Sequence, residues 1–141
     1  MAENNYHVRD FRSEDMPDIE FLWSETGIGE VERGDNLEVI DKTVKGGGKL
    51  LVLIVDDKLV GSSWMTHDGR RTYLHHFSIL PDFQGLGLSH MLMNTSLAWM
   101  RDLGLQIKLE VHESNKIARD LYVKYGFHEL EGYVSYIIRD I

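Results

Sequence analysis

The chain has no cysteine and only two prolines in 141 residues. Without thiols there is no disulfide, no thiolate metal site and no cysteine nucleophile. No apolar run approaches the ~20 residues a membrane-spanning helix requires. The N-terminus, Met1-Ala2-Glu3-Asn4-Asn5, lacks the basic start and apolar stretch of a secretory signal. A cytoplasmic location away from membranes is the expectation. Positive charge is also scarce, with 15 Lys and Arg against 23 Asp and Glu and a formal net charge of −8. That balance disfavours nucleic acid, whose phosphates want a basic face. Acidic residues crowd Asp10 to Glu38. They serve solubility, and they would equally attract a cationic amine. His67, His90, His112 and His128 show no ligand spacing. His75 and His76 are adjacent, so a regular strand sends them to opposite faces. No metal site is expected.

The length suits one domain over residues 1–141 with one substantial core. Tyr6 to Phe11 alternates and reads as a first strand. Ser13 is placed to cap a helix running to about Thr26, with Pro17 tolerated in its first turn and Ile19, Leu22 and Trp23 facing inward. A second helix begins near Asp35, with Leu37, Ile40 and Val44 inward, and stops at Gly46-Gly47-Gly48. Lys49 to Val55, Lys58 to Met65 and Arg71 to Ile79 read as a three-strand meander, with turns at Asp56-Asp57 and His67-Asp68-Gly69. A helix follows, with Leu88, Met91, Leu92, Thr95, Ala98 and Trp99 on one stripe and Gly104 as its stop. Leu105 to Val111 is a strand and Asn115 to Tyr125 a helix with Ala118, Leu121, Tyr122 and Tyr125 on one stripe. Phe127 to Leu130 and Tyr133 to Ile138 read as two closing strands about Glu131-Gly132. The order β-α-α-β-β-β-α-β-α-β-β predicts a mixed α/β sheet, antiparallel first and with one parallel crossover after the third meander strand.

Within this order the run Gln84-Gly85-Leu86-Gly87-Leu88-Ser89 stands out. It joins a strand to a helix, where free backbone N–H groups and the positive end of the helix dipole make a seat for phosphate. Glycines before a helix also serve simply to turn the chain. The run is neither G-x-G-x-x-G nor a Walker A loop, because Ser89 and His90 stand where those patterns need other residues.

A second segment, Asn115-Lys116-Ile117-Ala118-Arg119-Asp120-Leu121-Tyr122-Val123-Lys124-Tyr125-Gly126-Phe127, makes the reading specific. Together the two segments resemble the GNAT family of N-acetyltransferases. The family's phosphate loop, Arg/Gln-x-x-Gly-x-Gly/Ala, is matched by Gln84 and Gly87, with Ser89 the one departure. Its second element, Asn-x-x-Ala-x-x-x-Tyr-x-x-x-Gly-Phe, is matched at Asn115, Ala118, Tyr122, Gly126 and Phe127. The resemblance implies a GNAT-like acyl-CoA N-acyltransferase fold and acetyl-CoA as donor. Its pyrophosphate would rest on the amides of Gln84 to Ser89. Its pantetheine arm would pair with Phe77, Ser78 and Ile79, and Asn115 would cap its helix and touch the same arm.

Transfer to an amine needs a neutral nucleophile, a donor for the oxyanion and a proton for the departing thiolate. The resemblance implies Tyr122 as the acid, whose phenol has a reference pKa of roughly 10. As a bland alternative, Tyr122 simply fills its helix stripe. Leu109-Glu110-Val111 with Ser114-Asn115 is similar to the branch that acetylates protein N-termini, which makes Glu110 a candidate base whose pKa partial burial would raise. An ordinary strand glutamate is the alternative. His76 is the better placed of the histidine pair to line the acceptor side. Trp23, Glu25, Ile28 and Tyr133 lie on segments that wall the acceptor cleft in the family. The acceptor is then a small-molecule amine or a peptide N-terminus, and the resemblance implies a homodimer through the last strands. A non-catalytic acyl-CoA-binding module on the same fold would keep the loop and need neither Tyr122 nor Glu110. A purely structural α/β domain would need none of them.

Overall fold

The computed structural model describes residues 5–30 and 34–141; the first four residues, part of the signal-peptide argument, lie outside that range. The chain divides into two compact units, Met1–Glu110 and Val111–Ile141.

The first unit is a five-stranded sheet in the order β1-β2-β3-β4-β5. Its strands are β1 (Tyr6–Asp10), β2 (Lys49–Val55), β3 (Lys58–His67), β4 (Arg71–Ile79) and β5 (Gln106–Leu109). The first four are antiparallel neighbours, and β5 is parallel to β4. The β2–β3 hairpin turns on Asp56 and Asp57, both at positive φ (47° and 68°). That conformation matches the strand twist and is one that Asp tolerates better than most residues.

Helix α1 (Met16–Thr26), preceded by a 3-10 turn at Ser13–Asp15, and helix α2 (Leu37–Lys45) precede β2, and α3 (Leu88–Leu103) joins β4 to β5. Side chains of adjacent strand residues point to opposite faces. The Trp23 indole of α1 donates to Ser62 Oγ at 2.9 Å, while Ser96 of α3 donates to Ser63 Oγ at 2.7 Å. Helices α1 and α3 therefore cover opposite faces. Trp64 Nε1 donates to Thr43 Oγ1 of α2 at 2.9 Å, which places α2 on the α1 side. Burial on both faces explains why β2 reads as a continuous apolar run and why β3 is buried without a break from Leu59 to Met65.

Several expectations are corrected. Ser13 does not cap α1. Asp15 is the N-cap residue, and its carboxylate accepts from Arg12 N at 2.8 Å and from both Arg9 guanidinium nitrogens at 2.7 and 2.9 Å. Helix α2 starts at Leu37 after an Asn36 cap, and Val44 faces solvent. The buried stripe of α3 is Leu88, Leu92, Met93, Ser96, Leu97 and Met100, so Thr95 and Ala98 lie outside it. In the second unit α4 (Lys116–Lys124) forms with Asn115 as its cap, accepting from Ala118 N at 3.2 Å. Phe127–Leu130 and Tyr133–Ile138 form no strands, though Glu131-Gly132 does turn. A strand exists by its ladder, and these residues have none; Tyr133, Val134, Tyr136, Ile137 and Ile138 stand exposed.

The Arg9–Asp15 pair fastens β1 to the start of α1. The Arg9 hydrogen bonds hold the Asp15 carboxyl below the usual carboxylate range against the opposing effect of burial, and Arg9 is correspondingly raised. A depressed carboxyl stabilises the fold above its unfolded pKa, and that stabilisation fades as pH falls through the folded value. Asp15→Asn is expected to lower unfolding free energy at pH 7 by about 2 kcal/mol in urea titrations. Wild type and variant should converge as pH falls below about 4.

Candidate active site

Strand β4 pairs with β5 only from Arg71–Gln106 to Leu74–Leu109. Beyond that point it keeps β3 alone, through Ser78–Ser62 and Ile79–Gly61. Strand β4 thus runs on past the end of β5. His75 follows the last paired residue of β4, Glu110 follows that of β5, and Phe77, Ser78 and Ile79 lie on the part of β4 beyond the ladder. An unladdered parallel edge offers backbone groups that water or an extended ligand must satisfy.

The register of β3 with β4 shifts between Ser62 and Trp64, opposite His75–Ser78. His76 takes φ 45° there, a left-handed value that is strained for a residue with a Cβ. Ser62 Oγ donates to the His76 carbonyl at 2.6 Å while accepting from Trp23. The His76 ring meets Trp23 edge-on at 4.6 Å and Trp64 at 5.4 Å between centroids. Because of this irregularity, His75 and His76 do not follow strict alternation: the His75 ring also stands against Trp64, at 6.2 Å. His75 Nε2 lies 2.9 Å from Thr66 Oγ1. Burial of the ring, then the neighbouring His76 charge, lowers the His75 pKa, partly offset by Glu110 and Asp35.

Past β4, Pro81–Phe83 forms a 3-10 turn, and the Gln84 side-chain amide donates to the Ile79 carbonyl at 2.9 Å. That bond closes the loop on itself. Gly85 and Gly87 then take φ 78° and 80°, and Gly87 is the N-cap of α3. First-turn amides have no partner inside a helix. Among the described residues Gly87, Leu88 and Ser89 find none elsewhere for theirs. These N–H groups and the dipole of the 16-residue α3 are suited to an anion. The loop and the edge of β4 beyond β5 fit a ligand with a phosphate at one end and an extended amide chain behind it.

The remaining expected residues are placed as follows. Glu110 is exposed, so the partial burial expected of it is not found. Trp23 is in the core, 2% exposed, and braces the site from beneath. Glu25 is exposed and borders a cleft of about 120 Å³ with Phe21, Lys58 and Phe83. Ile28 is at the surface. In the second unit Tyr133 is exposed and Tyr122 buried, its ring 5.7 Å from Phe127. Burial pushes the Tyr122 phenol up to about 12. Asp35, Ser62 and Trp64 were not anticipated, because their roles come from contacts between distant segments. Among the described residues no group of three or more His, Asp or Glu could hold a metal, and no helix is long and apolar enough to cross a membrane.

Ser62 serves an indole and a carbonyl with one hydroxyl. Ser62→Ala leaves both buried groups unpaired, and a loss of about 2–4 kcal/mol is expected. In urea titrations the midpoint should fall with the slope unchanged.

Comparison with known proteins agrees with this architecture. An acetyltransferase from Streptococcus agalactiae superposes with a TM-score of 0.80 at 19% identity, covering 96% of this chain and 92% of that one. An aminoglycoside N-acetyltransferase in complex with CoA gives 0.75 at 15% identity, covering 98% and 97%. The ribosomal-protein-S18-alanine N-acetyltransferase of Escherichia coli gives 0.76 at 18% identity, covering 89% and 79%. At these identities the likeness shows a shared fold. The family model for the acetyltransferase (GNAT) family matches residues 8–127. With that match spanning most of the sequence, the chain belongs to the GNAT acetyltransferase family.

Proposed function

We propose that the protein is a cytoplasmic, single-domain, acetyl-CoA-dependent N-acetyltransferase. Its acceptor is a primary amine on a small molecule or at a protein or peptide N-terminus. The observation that carries the reading is the edge of β4 that runs on past β5, followed by a loop suited to an anion at the start of α3. Two solved neighbours support amine acceptors of both kinds, one an aminoglycoside N-acetyltransferase and one a ribosomal-protein-alanine N-acetyltransferase.

In this reading the amides of Gln84 to Ser89 hold the pyrophosphate, Phe77 to Ile79 align the pantetheine arm, and Asn115 and Tyr122 also bind the donor. The donor supplies an activated acetyl thioester. Glu110 takes the proton from the attacking amine, through water, since its carboxylate is open to solvent. Tyr122 donates toward the departing sulfur. With its phenol near 12 against roughly 8.5 for a thiol, complete transfer is uphill by about 5 kcal/mol. Tyr122 therefore acts as a hydrogen-bond donor that stabilises the developing thiolate while the sulfur's proton comes from solvent or from the amine.

The test is a thermal shift with acetyl-CoA, followed by an acceptor screen of peptides, polyamines and aminoglycosides with mass detection of product. A ligand selective for the native state raises apparent stability. No shift would overturn the reading. A shift with silence toward every amine would favour a non-catalytic acyl-CoA-binding module. Tyr122→Phe is expected to lower kcat about 10²-fold while leaving the acetyl-CoA thermal shift in place; unchanged turnover would remove Tyr122 from the mechanism. Glu110→Gln is expected to lower kcat/KM about tenfold or more and to alter the acidic limb of the pH–rate profile. A profile identical to wild type would exclude the base role.

A further inference from the structure

Asp35, just ahead of α2, meets the sheet in a polar contact. His76 Nε2 lies 2.9 Å from Asp35 Oδ1, with both side chains mostly enclosed, 19% and 16% exposed. The approach is off the axis of a hydrogen bond, and Nε2 itself is shielded from solvent. The contact is therefore a close polar approach and not a directed hydrogen bond. The other Asp35 oxygen accepts from Glu30 N at 2.6 Å, and Asp35 N donates back to Glu30 O at 3.1 Å. Asp35 thus folds its own segment and anchors it with the same carboxylate. Nearer α1, Gly29 lies against Trp23, where an added Cβ would come within 2.6 Å of the Trp23 Cβ. On the sheet side, Ser62 and two indoles hold His76 in its strained conformation.

We propose that Asp35 and His76 form a latch that sets the placement of Asp35 and Glu30 beside the far end of β4, and that both latch residues are positioning residues for the acceptor. The acceptor role rests on the acetyltransferase reading; the latch does not. His76 immediately precedes the stretch assigned to the donor's extended arm, so the latch fixes the spacing between that arm and Asp35.

His76→Asn removes the ring yet suits the left-handed backbone, which Asn tolerates. Asp35→Asn keeps an acceptor for Glu30 N and removes the charge. Amide hydrogen exchange followed residue by residue should quicken about tenfold at Glu30 and Asp35 in His76→Asn. The amides of β2 and β3 should keep their wild-type rates. With an amine found by the screen, acceptor KM should rise about tenfold in both variants, and the double variant should add little, as expected for partners in one contact. Turnover at saturation and the acetyl-CoA thermal shift should stay near wild type. Unchanged exchange at Glu30 and Asp35 would overturn the latch, as would acceleration spread equally over the sheet. A fall in kcat at constant KM would overturn the positioning role. If wild type accepts no amine, the acceptor role falls with the acetyltransferase reading, while the exchange measurement still decides the latch.

Discussion

Strand β4 has a strand on each side from Thr72 to Leu74 and β3 alone beyond that, and the candidate site follows from that change. A parallel ladder that continued would bury the edge from His75 to Ile79 and leave nothing for a ligand to satisfy. A ladder that never formed would leave α3 without a fixed starting point. Four paired residues set the direction of β4 and β5, and α3, spanning 16 residues between them, returns the chain parallel to its start. The loop ahead of α3 therefore starts from the end of β4 that runs on past β5.

The bulge opposite that edge is held from one side of the sheet. Ser62 binds the carbonyl of a strained His76, Trp23 binds Ser62, and the Trp23 and Trp64 rings stack 11° from parallel at 5.7 Å. Trp64 in turn reaches Thr43, which donates to the Ile40 carbonyl of α2. A short polar chain thus runs from the backbone of β4 through the core to two helices. Strain at one residue persists when its surroundings over-determine it, and here three side chains and a carboxylate do so.

Strands Lys49–Val55 and Arg71–Ile79 were legible to the residue, because apolar and β-branched runs ended at strong turn residues. The stripe of α3 was misread because a polar residue belongs to it. Ser96 is buried against Ser63, a partnership that periodicity alone does not reveal. Strict alternation separated His75 from His76, since alternation assumes a ladder without irregularity, and the bulge is a property of two strands together. The closing strands failed for the same reason in reverse: Tyr133 to Ile138 has the composition of a strand, but pairing needs a neighbour. The two motif segments were legible because local backbone geometry demands their residues. Asp35 was not, since its value lies in reaching His76 across 41 positions of sequence.

The loop from Gln84 to Ser89 carries a consequence for how it tolerates change. A Cβ added at Gly85 or Gly87 would meet nothing within 4 Å. What forbids other residues there is torsion and not space, at roughly 1–2 kcal/mol per position. The loop's shape is thus stored in two missing side chains and one hydrogen bond from the Gln84 side-chain amide to the Ile79 carbonyl. Leu86, 63% exposed, contributes no packing to it. Scanning the loop with alanine would pass almost silently over its tip and register only where a dihedral is refused.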